Sequence, residues 1–254
     1  MSNFVWDVLT LFPEIISVYI HSGILGRALE DGKITVRIHQ LRDYTEDKRR
    51  TVDDYPYGGG AGMVMKPEPL FLAVDRIRDL SPETRLILMS PQGRPFDQEA
   101  ARSLSQGSRA VTLICGRYEG VDARVTEHLV DDEISIGDYV ISGGELAALV
   151  VLDAVSRCLP GVVGDERSVN TDSFSQGILK HPQYTRPESY RGMQVPEVIL
   201  SGHHERIRRF QRFKALEKTF RNRPDLLERA GLTGEDLEML ERIRRGDDGG
   251  AEPV

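Results

Sequence analysis

The chain has 254 residues, 39% of them apolar and 29% charged, with a formal net charge of −7. That length admits one large core, or one large and one small. No apolar run reaches the roughly 18 residues needed to cross a bilayer, and the acidic balance argues against a blanket attraction to nucleic acid.

Phe4–Leu11 alternates and branches like a strand, and Pro13 opens a helical stretch carrying Ile16, Ile20, Ile24, Ala28 and Leu29. This start is apolar, but Asp7, Pro13 and Glu14 interrupt it and no basic leader precedes it, so it reads as strand then helix rather than signal peptide. Asp31-Gly32 ends the helix, and Ile34–Leu41 reads as a period-2 strand with Thr35, Arg37 and His39 outward. Asp43–Gly62 has no apolar period and reads as a long polar, glycine-rich loop, functional or disordered. Leu70, Val74 and Ile77 mark the next helix.

An α/β rhythm follows. The expected buried strands are Arg85–Met89, Val111–Cys115 and Glu133–Ile136, and the expected helices are Gln98–Leu104 and Val121–Leu129. Strands apolar on both sides and alternating with helices imply a mainly parallel sheet covered on both faces. Glu145–Leu159 is apolar almost all round and reads as a buried helix, packed within the subunit or against a second one.

Beyond Pro160-Gly161 the composition changes. Gly164–Gln176 is polar and aperiodic, a mobile linker by composition. Ser201 is placed to cap a helix through a basic run, Pro224 opens another, and Glu235–Arg244 reads as a third. The organisation expected is an α/β domain over 1–162, a linker over 163–176, a small all-α domain over 177–246 and a disordered tail over 247–254. Cys115 and Cys158 lie in apolar segments without metal-ligand spacing; both read as small buried residues, which fits a reducing cytosol.

Glycine is the strongest chemical clue. Tyr57–Met63 is neither a P-loop nor a dinucleotide fingerprint, so it is either a flexible loop or a close backbone approach to a ligand. Further glycine-rich turns follow the buried strands: Ser90–Gly93, Cys115–Gly120 and Ile136–Glu145. Ligands of open α/β sheets bind outside the carboxyl ends of strands, so these turns make three walls of one pocket without naming its ligand.

Glu119 and Asp138 lie in such turns, where carboxylates are either simply solvated or functional. Arg157 stands near the end of the apolar helix, where it either caps the helix dipole or serves a site. Asp172 in the linker carries no signal by itself. His203 and His204 are adjacent and cannot share a helix face, so no metal site is expected. From Glu205 to Arg223 run Arg206, Arg208, Arg209, Arg212, Lys214, Lys218, Arg221 and Arg223, read as a solvated face or a phosphate contact.

Taken in order, Asp53-Asp54 with Pro56–Met63, Ser90–Gly93, Gly116–Asp122, Ile136–Glu145, Asp153–Gly164, Asp172–Phe174, His181–Pro187 and Val195–His203 resemble the tRNA (guanine-N1)-methyltransferase family of the SPOUT superfamily. The resemblance implies a homodimer with its active site at the subunit interface, and an α/β domain tied in a deep trefoil knot. It implies S-adenosylmethionine held by Ser90, Pro91, Gly116, Arg117, Tyr118, Glu119, Gly120, Ile136, Gly137, Asp138, Tyr139, Val140, Ile141, Gly143 and Gly144. It also implies catalysis by Asp172 as general base with Arg157 and Glu119. The tRNA anticodon stem-loop would meet Gly58, Gly59, Arg157, Asp172, Ser201, His203 and Arg206, with methylation at N1 of guanosine 37. A magnesium ion is implied as an aid, but no oxygen-ligand cluster in the sequence places it. Two rivals stand beside this expectation: an RNA-binding protein that keeps the fold without catalysis, and a knotted methyltransferase acting on ribosomal RNA or a ribose hydroxyl.

Overall fold

The structure is a computed structural model that describes residues 3–164 and 171–247. The chain divides into two compact units, Met1–Glu166 and Arg167–Val254. In chain order the first contains β1 (Phe4–Thr10), α1 (Pro13–Ile20), α2 (Gly23–Glu30), β2 (Ile34–Gln40), β3 (Asp53–Asp54), β4 (Val64–Met65), α3 (Pro67–Leu80), β5 (Arg85–Pro95), α4 (Gln98–Gly107), β6 (Ala110–Cys115), α5 (Ala123–His128), β7 (Asp132–Ser135) and α6 (Glu145–Ser156).

Five of these strands form one sheet in the order β2-β1-β6-β5-β7, and every pairing in it is parallel. Side-chain alternation sends Phe4, Trp6, Val8, Val111 and Leu113 into one core with α1, α2, α4 and α6. Leu9, Leu86, Leu88 and Ile114 enter the other, with residues of α3 and α5. Trp6 is buried and donates its indole N–H to Ser156 at 3.1 Å, so the polar end of its ring is satisfied inside the core.

The structure corrects several sequence-based expectations. The first helix is two: Gly23, at φ +59, takes a left-handed turn that a continuous helix does not contain. Arg37 and His39 do not point simply outward. Both reach the fully buried Asp7 on the neighbouring strand, Arg37 through a fork at 2.7 and 2.6 Å and His39 at 2.7 Å. A buried carboxylate demands partners, and the parallel register brings Asp7 opposite Arg37. The expected buried helix α6 leaves Leu146 and Val150 58% and 47% exposed, four residues apart on one face. Cys115 is buried, whereas Cys158 is only half-buried.

The second unit contains β8 (Ser189–Tyr190), β9 (Met193–Gln194), α7 (Glu197–Leu200), α8 (His204–Asn222), α9 (Pro224–Leu227) and α10 (Gly234–Arg244). The β8–β9 hairpin departs from the all-α expectation; its turn uses Arg191 and Gly192, at φ +53 and +79, the conformation a tight two-residue hairpin needs. Ile178, Phe213, Leu216, Met239, Leu240 and Ile243 form a separate small core. Asp236 closes a capping box with Thr233 at the start of α10 and accepts a fork from Arg212 on α8 at 2.7 and 2.9 Å. Ser201 is not the cap of α8. His203 takes that position, and Ser201 closes α7, its hydroxyl donating to Val198 and accepting from the His203 N–H. The linker expectation over 165–170 and the tail expectation over 248–254 lie outside the described residues.

Candidate functional site

The glycine-rich turns cluster where the sheet predicts, because β6, β5 and β7 are adjacent and parallel, so their carboxyl ends share one rim. After Met89 the chain does not simply turn away. Met89 and Arg94 both pair with Ile134, so Ser90–Gly93 is a bulge thrown out of a strand that then resumes. Ser90 accepts the Gln92 N–H at 3.1 Å, which holds the bulge and leaves Pro91 exposed.

The turn after β6 and the one after β7 are joined backbone to backbone. Gly144 donates to the Gly116 carbonyl at 2.9 Å, and Arg117 bridges Gly143. A Cβ on Gly144 would stand 2.8 Å from the Cys115 Cα, so only glycine permits this approach. Tyr118 sits at φ +60, uncommon for a residue with a side chain, and strain of this kind collects at functional sites. The glycine strap 58–62 meets the same turn, where the Glu119 N–H donates to Met63 and the Met65 N–H to Gly120, at 3.0 and 2.9 Å.

Electrostatics at the rim are set by a residue that sequence reasoning did not single out. Glu145, first in α6, is buried and accepts from the Thr10 hydroxyl at 2.7 Å and from Arg117 Nε at 3.1 Å. Arg117 also donates to the Ser142 carbonyl and lies over the Phe12 ring, 4.3 Å from its centroid. The signal was present: a lone carboxylate opening an otherwise apolar helix must find donors if the helix is buried. Arg117 therefore braces the loops. With its charge taken by Glu145, the exposed carboxylates of the turns are Glu119 and Asp138, neither paired with a cation among the described residues. Tyr118, Tyr139, Val140 and Ile141 add exposed aromatic and apolar surface, while Ile136 and Gly137 are half-buried. Cys115 lies directly beneath; burial, then the nearby Glu145 carboxylate, pushes its thiol well above the ordinary range, so it offers no nucleophile.

Exposed aromatic and apolar side chains beside exposed carboxylates and loop backbone groups suit a small ligand with a flat apolar part and a positive charge.

The other candidates divide between the units. Arg157 in the first unit is the residue that ends α6, and its backbone N–H donates to the Asp153 carbonyl at 3.0 Å. In the second unit Asp172 is half-buried and accepts from Lys180 Nζ at 2.8 Å. Ser201, His203 and Arg206 gather at the start of α8, all exposed. Along that helix the basic run is largely compensated: Arg208 with Glu205, Arg209 with Glu235, Arg212 with Asp236, and Lys214 and Arg221 with Glu217; just beyond it, Arg223 pairs with Asp225. Among the described residues Arg206 and Lys218 pair with no carboxylate. No described helix is long and apolar enough to cross a membrane.

A family model described as tRNA (Guanine-1)-methyltransferase TrmD matches residues 4–229. A protein of Dictyoglomus turgidum is 53% identical over 239 residues, covering 94% of this chain and 96% of its own. One of Moorella thermoacetica is 54% identical over 241 residues, covering 94% and 96%. One of Halalkalibacterium halodurans is 52% identical over 240 residues, covering 94% and 97%. All three are named tRNA (guanine-N(1)-)-methyltransferase. With the family model spanning both units and identity above half across nearly the whole length, this chain belongs to the tRNA (guanine-1)-methyltransferase family.

Proposed function

We propose that the protein transfers a methyl group from S-adenosylmethionine to N1 of guanosine 37 in tRNA. The observation that carries this reading is the braced rim at the ends of β6, β5 and β7, with its exposed carboxylates Glu119 and Asp138, in a chain of this family. The cofactor, when bound, supplies an electrophilic methyl carbon on a cationic sulfur. The holding groups are Ser90, Pro91, Gly116–Gly120, Ile136–Ile141, Gly143 and Gly144, with Arg117 acting through its brace.

The chain's own task is to position guanine and move one proton. N1 carries a proton at neutral pH, so its lone pair becomes available only as that proton leaves; Asp172 takes it. Charge then develops toward O6, where the Arg157 guanidinium stabilises it as a preorganised cation. Gly58 and Gly59 give the base room, and Ser201, His203 and Arg206 hold the anticodon stem-loop. An anticodon loop yields its base more cheaply than a duplex does.

The remaining elements of this reading are a trefoil knot in the α/β domain, a linker over 163–176 that orders on tRNA, a tRNA-binding domain over 177–246, and cytosolic work as a homodimer with its active sites at the subunit interface. The apolar stripe of Leu146 and Val150, with exposed Val18 on the adjoining α1, supports the dimer. A magnesium ion has no assigned ligands here.

The test is single-turnover transfer of a labelled methyl to a tRNA transcript. Asp172→Ala keeps cofactor affinity and loses about a hundredfold or more in rate. Transfer at the wild-type rate would remove Asp172 as the base.

A further inference from the structure

The glycine strap has a built base and a lightly supported tip. Its neck is the antiparallel pair β3–β4, with Asp53 opposite Met65 and Asp54 opposite Val64. The Lys66 N–H donates to Val52 at 2.8 Å, Val52 and Met65 are buried, and the Glu119 and Met65 amides tie the neck to the turn after β6. At the tip this support thins to one turn, in which the Gly59 N–H donates to the Pro56 carbonyl at 3.4 Å. Tyr55 is 79% exposed and Tyr57 102%, and Tyr57 makes no hydrogen bond or ring contact among the described residues. Gly58 and Gly59 follow at φ +85 and +80, with nothing within 4 Å of where a Cβ would stand.

A tyrosine ring wholly in water adds nothing to the fold, although burying such a ring is among the larger gains open to a side chain. Here it is carried by an anchored neck to the rim of the candidate site. Lys48 and Arg49, exposed and without carboxylate partners among the described residues, precede the neck by a few residues. An exposed aromatic ring on an anchored loop is the kind of platform on which an unpaired nucleobase stacks, because every base has a π face.

We propose that Tyr57 is the stacking platform for a nucleobase turned out of the tRNA anticodon loop. This rests on the tRNA reading above and adds a positioning residue to it. The ring acts through its π face, and its hydroxyl is dispensable.

The experiment uses the full chain with Tyr57→Phe and Tyr57→Leu. A tRNA anticodon stem-loop carrying 2-aminopurine at the target position reports stacking as fluorescence quenching. Wild type and Tyr57→Phe quench it and bind with equal affinity; Tyr57→Leu loses the quench and binds about tenfold more weakly. Melting temperature and S-adenosylmethionine affinity stay unchanged in both variants. Full quenching and affinity in Tyr57→Leu would overturn the proposal. So would a fall in melting temperature, which would make the ring structural, or a loss confined to cofactor binding. Failure of the tRNA reading itself would appear separately, as a wild-type protein that neither binds the stem-loop nor methylates it.

Discussion

The rim of the first unit and helix α8 of the second both depend on charge, and they use it in opposite ways. At the rim, contacts to one charged group join residues far apart in sequence: Glu145 pairs with Arg117, 28 positions away, and accepts from the Thr10 hydroxyl, 135 positions away. Its carboxylate is buried, and the contact fixes where two loops stand. Along α8 several pairs are local, such as Arg208 with Glu205 and Lys214 with Glu217, and the arginines there are largely solvent-facing. Local pairs of this kind contribute little stability each, yet they compensate cations that a sequence count would credit to phosphate binding. A charge run therefore overstates the charge on offer, and a lone buried acid understates its structural weight.

The largest expected break falls at the rim. Glu145→Ala leaves the Arg117 guanidinium without its buried partner and costs about 3–5 kcal/mol in denaturant unfolding. It also weakens S-adenosylmethionine binding in calorimetry, because the turns after β6 and β7 lose their brace. A variant with wild-type stability would show that Glu145 is merely tolerated.

The next effect belongs to the second unit and carries a pH signature. The Arg212 fork, together with the Thr233 hydrogen bonds, holds the Asp236 carboxyl down at about 2, below its usual 3.8. A carboxylate held down in the folded state contributes stability above its unfolded value and loses it as pH falls toward the folded one. Asp236→Asn therefore costs on the order of 2 kcal/mol at pH 7, a penalty that shrinks as pH drops below about 4. Unfolding curves between pH 3 and 7 check this; a penalty constant across that range would assign it to packing.

The smallest effect sharpens the comparison itself. Arg206→Ala with Lys218→Ala flattens the slope of log affinity for tRNA against log salt by about 1.5, whereas Arg208→Ala with Arg221→Ala flattens it less than half as much. Equal changes from the two pairs would mean that local pairing leaves the α8 cations fully available to phosphate.

Much of this fold was legible in the sequence because its signals are local. Apolar runs such as Val111–Cys115 announce strands covered on both faces, and the glycine turns after them mark the strand ends, where open α/β sheets in general bind ligands. What was not legible depends on pairing across the chain. The resumption of β5 after Ser90–Gly93 requires Ile134 as a common partner, which no local pattern encodes. Asp7 and Glu145 are each a single acid in an apolar segment, and only the register supplies Arg37, His39 and Arg117. Ser201 fits a cap by type, but the helix starts later because His203 and Ser201 close a turn first. Asp172 stays silent to local reasoning, since a linker carboxylate paired with Lys180 looks like any other surface contact. The proposal that it is the general base rests on family resemblance alone.

Mass mapping of the modified nucleotide decides which atom of which nucleotide receives the methyl group. A tRNA transcript with guanosines at positions 36 and 37 is incubated with the protein and isotopically labelled S-adenosylmethionine, digested, and read by mass spectrometry. The expected product carries one labelled methyl, on N1 of guanosine 37, and is absent with the Asp172→Ala protein. A labelled ribose, a label at another nucleotide, or no label with a tRNA that binds would contradict it.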